Sequence, residues 1–120
     1  MSVNFISKDE LRKMEGSEGL IIQGCRGNLD EWVDGINEML ERDGIFTGEG
    51  RFHNCLAFKN EDLVCILFPF RKDVGIDFSK LAMWRLTTHQ YFSGTWLSDY
   101  VPNRLGGFIK DTPVPGMTMI

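Results

Sequence analysis

Phe52-His-Asn-Cys-Leu-Ala-Phe-Lys-Asn-Glu-Asp-Leu-Val-Cys-Ile-Leu-Phe-Pro-Phe70 decides the fold. Residues 52–59 and 63–70 are two apolar and aromatic runs. Asn60-Glu61-Asp62 between them is a polar turn of hairpin length. In the second run Val64, Ile66 and Phe68 alternate with Leu63, Cys65 and Leu67, so both faces are apolar. A strand of that kind belongs in the middle of its sheet. Pro69 has no N–H to donate, and pairing is expected to fail near it.

Towards the N-terminus, Leu20-Ile-Ile-Gln23 is a compact apolar run bounded by glycines and is expected to be a buried strand. Between it and the hairpin lies the strongest helical pattern. Asn28 caps it, with Glu31 three residues on, and Leu29, Trp32, Val33, Ile36, Met39 and Leu40 form one stripe. Gly44 ends it. A further strand at Ile45-Phe46-Thr47 would fit before the hairpin. Ser7-Lys-Asp-Glu10 has the capping-box spacing, predicting a short helix over 8–14 that stops at Gly16.

Towards the C-terminus, Asp77 is the expected cap of a helix reaching about Gln90. Phe78, Leu81, Ala82, Arg85, Leu86 and His89 share one side, with Trp84 nearer the flank. Gly94 is expected to close it. The stretch 94–108 mixes Trp96, Tyr100 and Phe108 with turn formers and fits neither period well. A helical turn over 98–101 is possible there before Pro102, and an Asp99–Arg104 bridge would pin the turn. Residues 111–120 carry Pro113, Pro115 and Gly116 and are expected to be extended or frayed. The order predicts one α+β domain over 1–110, with helices on one face of a mainly antiparallel sheet, and a tail over 111–120.

The 120 residues, 42% hydrophobic and 25% charged, are ordinary values for one globular domain. No signal peptide or membrane span is visible, and the three cysteines, Cys25, Cys55 and Cys65, cannot all pair within the chain. They are expected to be reduced thiols of a cytoplasmic protein. Asp30, Glu31, Asp34, Glu38, Glu41 and Asp43 face Arg42 alone, so residues 30–43 carry more negative charge than the whole chain's −4. A duplex-binding domain shows the reverse pattern.

Four constellations bear on chemistry. The loop Gln23-Gly-Cys-Arg-Gly-Asn28 is foremost a tight turn. The alternatives are an anion site at a helix N-terminus and an activated Cys25. His53, Cys55 and Cys65 bring metal-ligand types near one another, but lack the spacing of a zinc site; no metal and no cofactor is expected. The acidic stripe is a solvated face, a docking surface for a basic protein, or a mimic of nucleic-acid phosphates. Trp96 and Tyr100 suit either a core or a binding hot spot.

Residues 18–25 (Glu-Gly-Leu-Ile-Ile-Gln-Gly-Cys), 31–40, 67–70, 80–86 and 94–107 resemble small uncharacterised proteins of gut bacteria, carried on conjugative elements and prophages. Some stand beside domains associated with large polyvalent proteins. The resemblance spans most of 18–108 and brings no activity or catalytic residue with it. It implies an accessory gene of a mobile element, of a kind that acts by binding a host or rival protein, CRISPR effectors included. The expectation is thus a non-enzymatic inhibitor of a host defence system, anti-CRISPR-like, whose partner is a protein such as a nucleic-acid-binding effector. Its contacts are expected at Asp30, Asp34, Glu38 and Glu41, with Trp96, Asp99, Tyr100 and Arg104. The alternatives are a nucleic-acid-processing accessory domain touching its ligand through Arg71, Lys72, Lys80 and Arg85, and a small enzyme using Cys25 or Asp99.

Overall fold

The computed structural model describes residues 3–14, 17–48, 50–71, 74–88 and 93–97. Its elements are β1 (Asn4–Phe5), α1 (Lys8–Arg12), β2 (Gly19–Gln23), α2 (Leu29–Arg42), β3 (Leu56–Asn60), β4 (Leu63–Pro69), α3 (Phe78–Thr88) and β5 (Ser93–Trp96). The five strands form one sheet in the order β1-β3-β4-β2-β5. All pairings are antiparallel except β1 with β3. The domain is α+β, as its pattern predicts.

β4 lies at the centre, as its two apolar faces require, and pairing with β2 ends at Gly19↔Pro69. The hairpin closes through Asn60↔Leu63, leaving Glu61 and Asp62 as a two-residue turn. Glu61 takes φ +58, the sign such turns demand. β3 is shorter than the apolar run suggests. It starts at Leu56 because Asn54 turns to φ +53. Ahead of it, the backbone of Phe52 pairs with a side chain instead of a strand. Asn37, fully buried in α2, accepts from Phe52 N–H at 2.8 Å and donates to Phe52 C=O at 3.0 Å and to Val33 C=O at 3.2 Å. Ile45-Phe46-Thr47 yields only an isolated bridge, Phe46 to Ile76.

Each predicted cap is present. Ser7 Oγ accepts from Glu10 N–H at 3.1 Å, and Asn28 Oδ1 accepts from Asp30 and Glu31 N–H at 3.0 and 3.3 Å. Asp77 Oδ1 accepts from Lys80 N–H at 3.1 Å. α2 ends in a Schellman motif: Ile45 N–H reaches Leu40 C=O at 2.9 Å, Gly44 N–H reaches Glu41 C=O at 3.2 Å, and Gly44 holds φ +73. The Gly16 stop and the residues beyond Thr88 of the second long helix lie outside the described residues.

The two long helices share one sheet face. Leu20, Ile22, Ile66 and Phe68 meet Val33, Ile36 and Leu40 of α2 and Leu81, Ala82 and Trp84 of α3. An aromatic chain runs through this layer: Phe52 to Phe46 (5.6 Å), Phe68 (5.4 Å) and Phe70 (6.1 Å), then Phe70 to Phe78 (5.4 Å) and Trp96 (6.2 Å). The expectation of helices on one face holds for α2 and α3 and is corrected for α1: on the other face its Leu11 joins Ile21, Phe58, Cys65, Leu67 and Leu97. α3 is rotated from the stripe its sequence suggests, with Trp84 buried and Leu86 39% exposed. The indole brings more apolar surface to the core than the leucine does.

The segment from Gly94 is a correction. Gly94 does not close a helix. It sits in β5, which pairs with β2 from Gln23↔Ser93 to Leu20↔Trp96. Two side chains fix this strand: Gln23 Nε2 donates to Thr95 Oγ1 at 2.9 Å, and Arg85 Nε donates to Gly94 C=O at 2.9 Å.

Candidate functional site

The loop between β2 and α2 is a turn. Gly24 and Gly27 hold φ +75 and +73, which explains both glycines. Cys25 points inward, 3% exposed, with its thiol 3.5 Å from Ile22 C=O. Burial, with Cys65 nearby, pushes its pKa up to about 12. A thiol held protonated by desolvation is not an activated nucleophile, which counts against the Cys25 enzyme reading. Burial likewise pushes Cys55 up to about 12. His53 is exposed while Cys55 is buried, because residues 53–55 precede the strand and do not share its face. Among the described residues no cluster could hold a metal ion.

The acidic residues of α2 fall into two groups. Asp34, Glu38 and Glu41 are exposed on successive turns of one face, with Glu31 beside them. Among the described residues the ion pairs are Arg12–Asp9 and Arg42–Asp43, so none engages this face. Asp30 departs from the stripe: it is half-buried, and its Oδ1 is sealed from solvent without a hydrogen-bond partner.

Next to the acidic face the helix borders an open cleft of about 280 Å³, lined by Glu31, Trp32, Gly35, Ile36 and Met39. Trp32 is braced by its own loop, Nε1 donating to Arg26 C=O at 2.7 Å. Ile36 belongs to the core, whereas Trp32, Gly35 and Met39 are half-buried. The stripe of Trp32, Ile36 and Met39 is visible in the sequence as core. The signal that part of it borders a cleft is Gly35, a glycine in mid-helix.

The contact candidates of the 94–108 segment separate as well. Trp96 is 5% exposed, with the Arg85 guanidinium 5.0 Å from its ring centroid. It is a core residue and not a contact residue, because β5 turns its side chain onto the helical face of the sheet. Asp99, Tyr100 and Arg104, the expected turn over 98–101 and the tail over 111–120 lie outside the described residues.

The basic residues differ in exposure. Arg71 and Lys80 are exposed, whereas Arg85 is half-buried between Gly94 and Trp96, serving β5. Lys72 lies outside the described residues. Among the described residues no helix is long and apolar enough to cross a membrane. Comparison with protein-family models, with curated proteins and with solved structures found no match.

Proposed function

We propose that this chain is a non-enzymatic protein-binding module, an accessory protein of a mobile genetic element that inhibits a host defence protein by occupying it through the outer face of α2. The observation that supports this reading is that face itself. Asp34, Glu38 and Glu41 are exposed beside Glu31, and no described ion pair engages them. Like charges three and four residues apart cost a helix about 0.2–0.5 kcal/mol per pair. The N-terminal dipole favours only the acids of the first turn. The face therefore opposes helix stability, and its charge suits a basic partner surface, where complementary potentials set encounter rate and specificity.

The test is the double variant Asp34→Lys/Glu38→Lys, compared with the natural protein in affinity capture from host lysate with mass spectrometry. The lysines gain Glu31 and Glu41 as opposite charges one turn away, so the melting temperature should hold or rise slightly. Loss of the captured partner with the fold intact supports the reading. Equal capture by both proteins refutes it.

A further inference from the structure

Gly35 has no explanation among the described residues. In a helix interior glycine costs about 0.8–1 kcal/mol relative to alanine. Gly44 earns its place through φ +73. Gly19 does so because a Cβ would lie 2.8 Å from Leu67 Cδ1 and 3.0 Å from Phe68 C=O. Gly35 lies within α2, is not among the glycines of positive φ, and a Cβ on it would meet no described atom within 4 Å. The space it opens belongs to the cleft between Trp32 and Met39.

The cleft itself indicates the kind of occupant. Its volume of about 280 Å³ falls just below the roughly 300–1,000 Å³ usual for small-molecule pockets. Its lining is aliphatic and aromatic, with Glu31 as its one charged group among the described residues. Methionine adapts its shape to varied apolar guests. Binding hot spots are apolar pockets of this kind, enclosed by polar surroundings. The adjoining surroundings are anionic: Glu31 at the rim, then Asp34 and Glu38.

We propose that the cleft bounded by Trp32, Gly35 and Met39 takes one large apolar side chain from a cationic segment of the partner protein, whose lysines or arginines lie against Glu31, Asp34 and Glu38. This rests on the reading of α2 as the docking face and adds to it the chemistry of the segment recognised. Charge brings the segment to the helix, and the anchor fixes its register.

The experiment uses the full chain and two short fluorescein-labelled peptides of lysine and alanine, one with a central leucine and one with serine in its place. Anisotropy should show the leucine peptide binding about tenfold or more tighter, the value of burying one such side chain. Gly35→Leu, which fills the cleft and improves helix propensity, should erase that difference. Amide and methyl shifts should concentrate at Trp32, Gly35 and Met39. Equal affinity of the two peptides, or an advantage that survives Gly35→Leu, overturns the proposal. So does a concentration-dependent dimer abolished by Gly35→Leu, which would make a second copy the occupant. Nuclear Overhauser contacts from the Met39 methyl to residues 98–120 in the free protein overturn it too. Lysate capture separates the two readings. If Asp34→Lys/Glu38→Lys abolishes capture while Gly35→Leu leaves it intact, the face stands and the cleft falls. If the double variant still captures the partner, the face itself falls.

Discussion

Replacing Asn37 with leucine, close in size and shape, tests how the domain joins its long helix to its sheet. The carboxamide accepts from Phe52 N–H and donates to Phe52 C=O, at 2.8 and 3.0 Å, as a neighbouring strand would. Phe52 is 1% exposed, so water cannot replace either bond. Each buried backbone group left without a partner costs about 1–3 kcal/mol, which puts Asn37→Leu at roughly 2–5 kcal/mol. Against a total stability of about 5–15 kcal/mol for a domain, that is a large share. At about 3–6 °C per kcal/mol for this size, the middle of the range lowers Tm by roughly 10–20 °C. Urea and thermal unfolding followed by circular dichroism measure it.

Asn37→Asp provides the internal control. A protonated carboxyl can accept from Phe52 N–H and donate to its C=O, whereas the carboxylate can only accept and is charged in a buried site. The folded state must therefore raise the pKa of that aspartate above its unfolded value near 3.9. The bond it supplies is fully present below the unfolded value and is lost as pH rises through the folded one. Asn37→Asp should approach the natural protein in acid and fall towards Asn37→Leu near neutrality, relative to the natural protein at each pH. A cost below about 1 kcal/mol for Asn37→Leu, or a pH-independent Asn37→Asp, would refute the reasoning.

Gly44→Ala places a Cβ at φ +73 in the Schellman turn and should cost about 1 kcal/mol or more in urea unfolding; an unchanged midpoint would show that the turn rearranges freely. The thiols Cys25, Cys55 and Cys65 are all buried, so a thiol reagent at pH 8 should label them only as fast as the protein unfolds, and labelling at the rate of a free thiol would contradict their placement. Because burial lifts Cys25 and Cys55 from 9.0 to about 12, the stability they contribute is whole below pH 9 and is lost as pH rises towards 12. Cys55→Ala should flatten that alkaline decline, and an identical slope would exclude the thiol as its source.

Much of the fold is written locally. Ser7, Asn28 and Asp77 mark helix starts because a short polar side chain can satisfy free N–H groups at a helix's first turn. β4 is legible because only a strand covered on both sides needs continuous apolar residues. What escapes is structure created by distant pairings. β1 has two residues and no pattern of its own; it exists because Asn4 and Phe5 meet β3. Ser93-Gly-Thr-Trp96 shows no alternation, and its strand is secured by β2, Gln23 and Arg85 from elsewhere in the chain. The run from Phe52 resembles strand throughout, yet its first residues are held by an asparagine fifteen positions away.

The candidate site shows the same division. The acidic face of α2 is legible because charge at helical spacing has nowhere to go but outward, and Asp34, Glu38 and Glu41 are exposed accordingly. The sealed Oδ1 of Asp30 depends on tertiary surroundings that no spacing rule contains. Trp96 could not be assigned from composition, since an indole suits a core and a hot spot alike. The strand register placed it in the core.

The position of β2 between β4 and β5 also shapes how the chain is made. β2 and β4 can pair once residue 69 is available, but the other edge of β2 has no described partner until Ser93–Trp96 is synthesised. At about 5–20 residues per second, the intervening stretch occupies the ribosome for roughly one to five seconds. For that interval Leu20-Ile-Ile presents an open apolar edge, the feature that invites pairing with another chain. The last described strand is thus also the one that covers this apolar edge of the nascent protein.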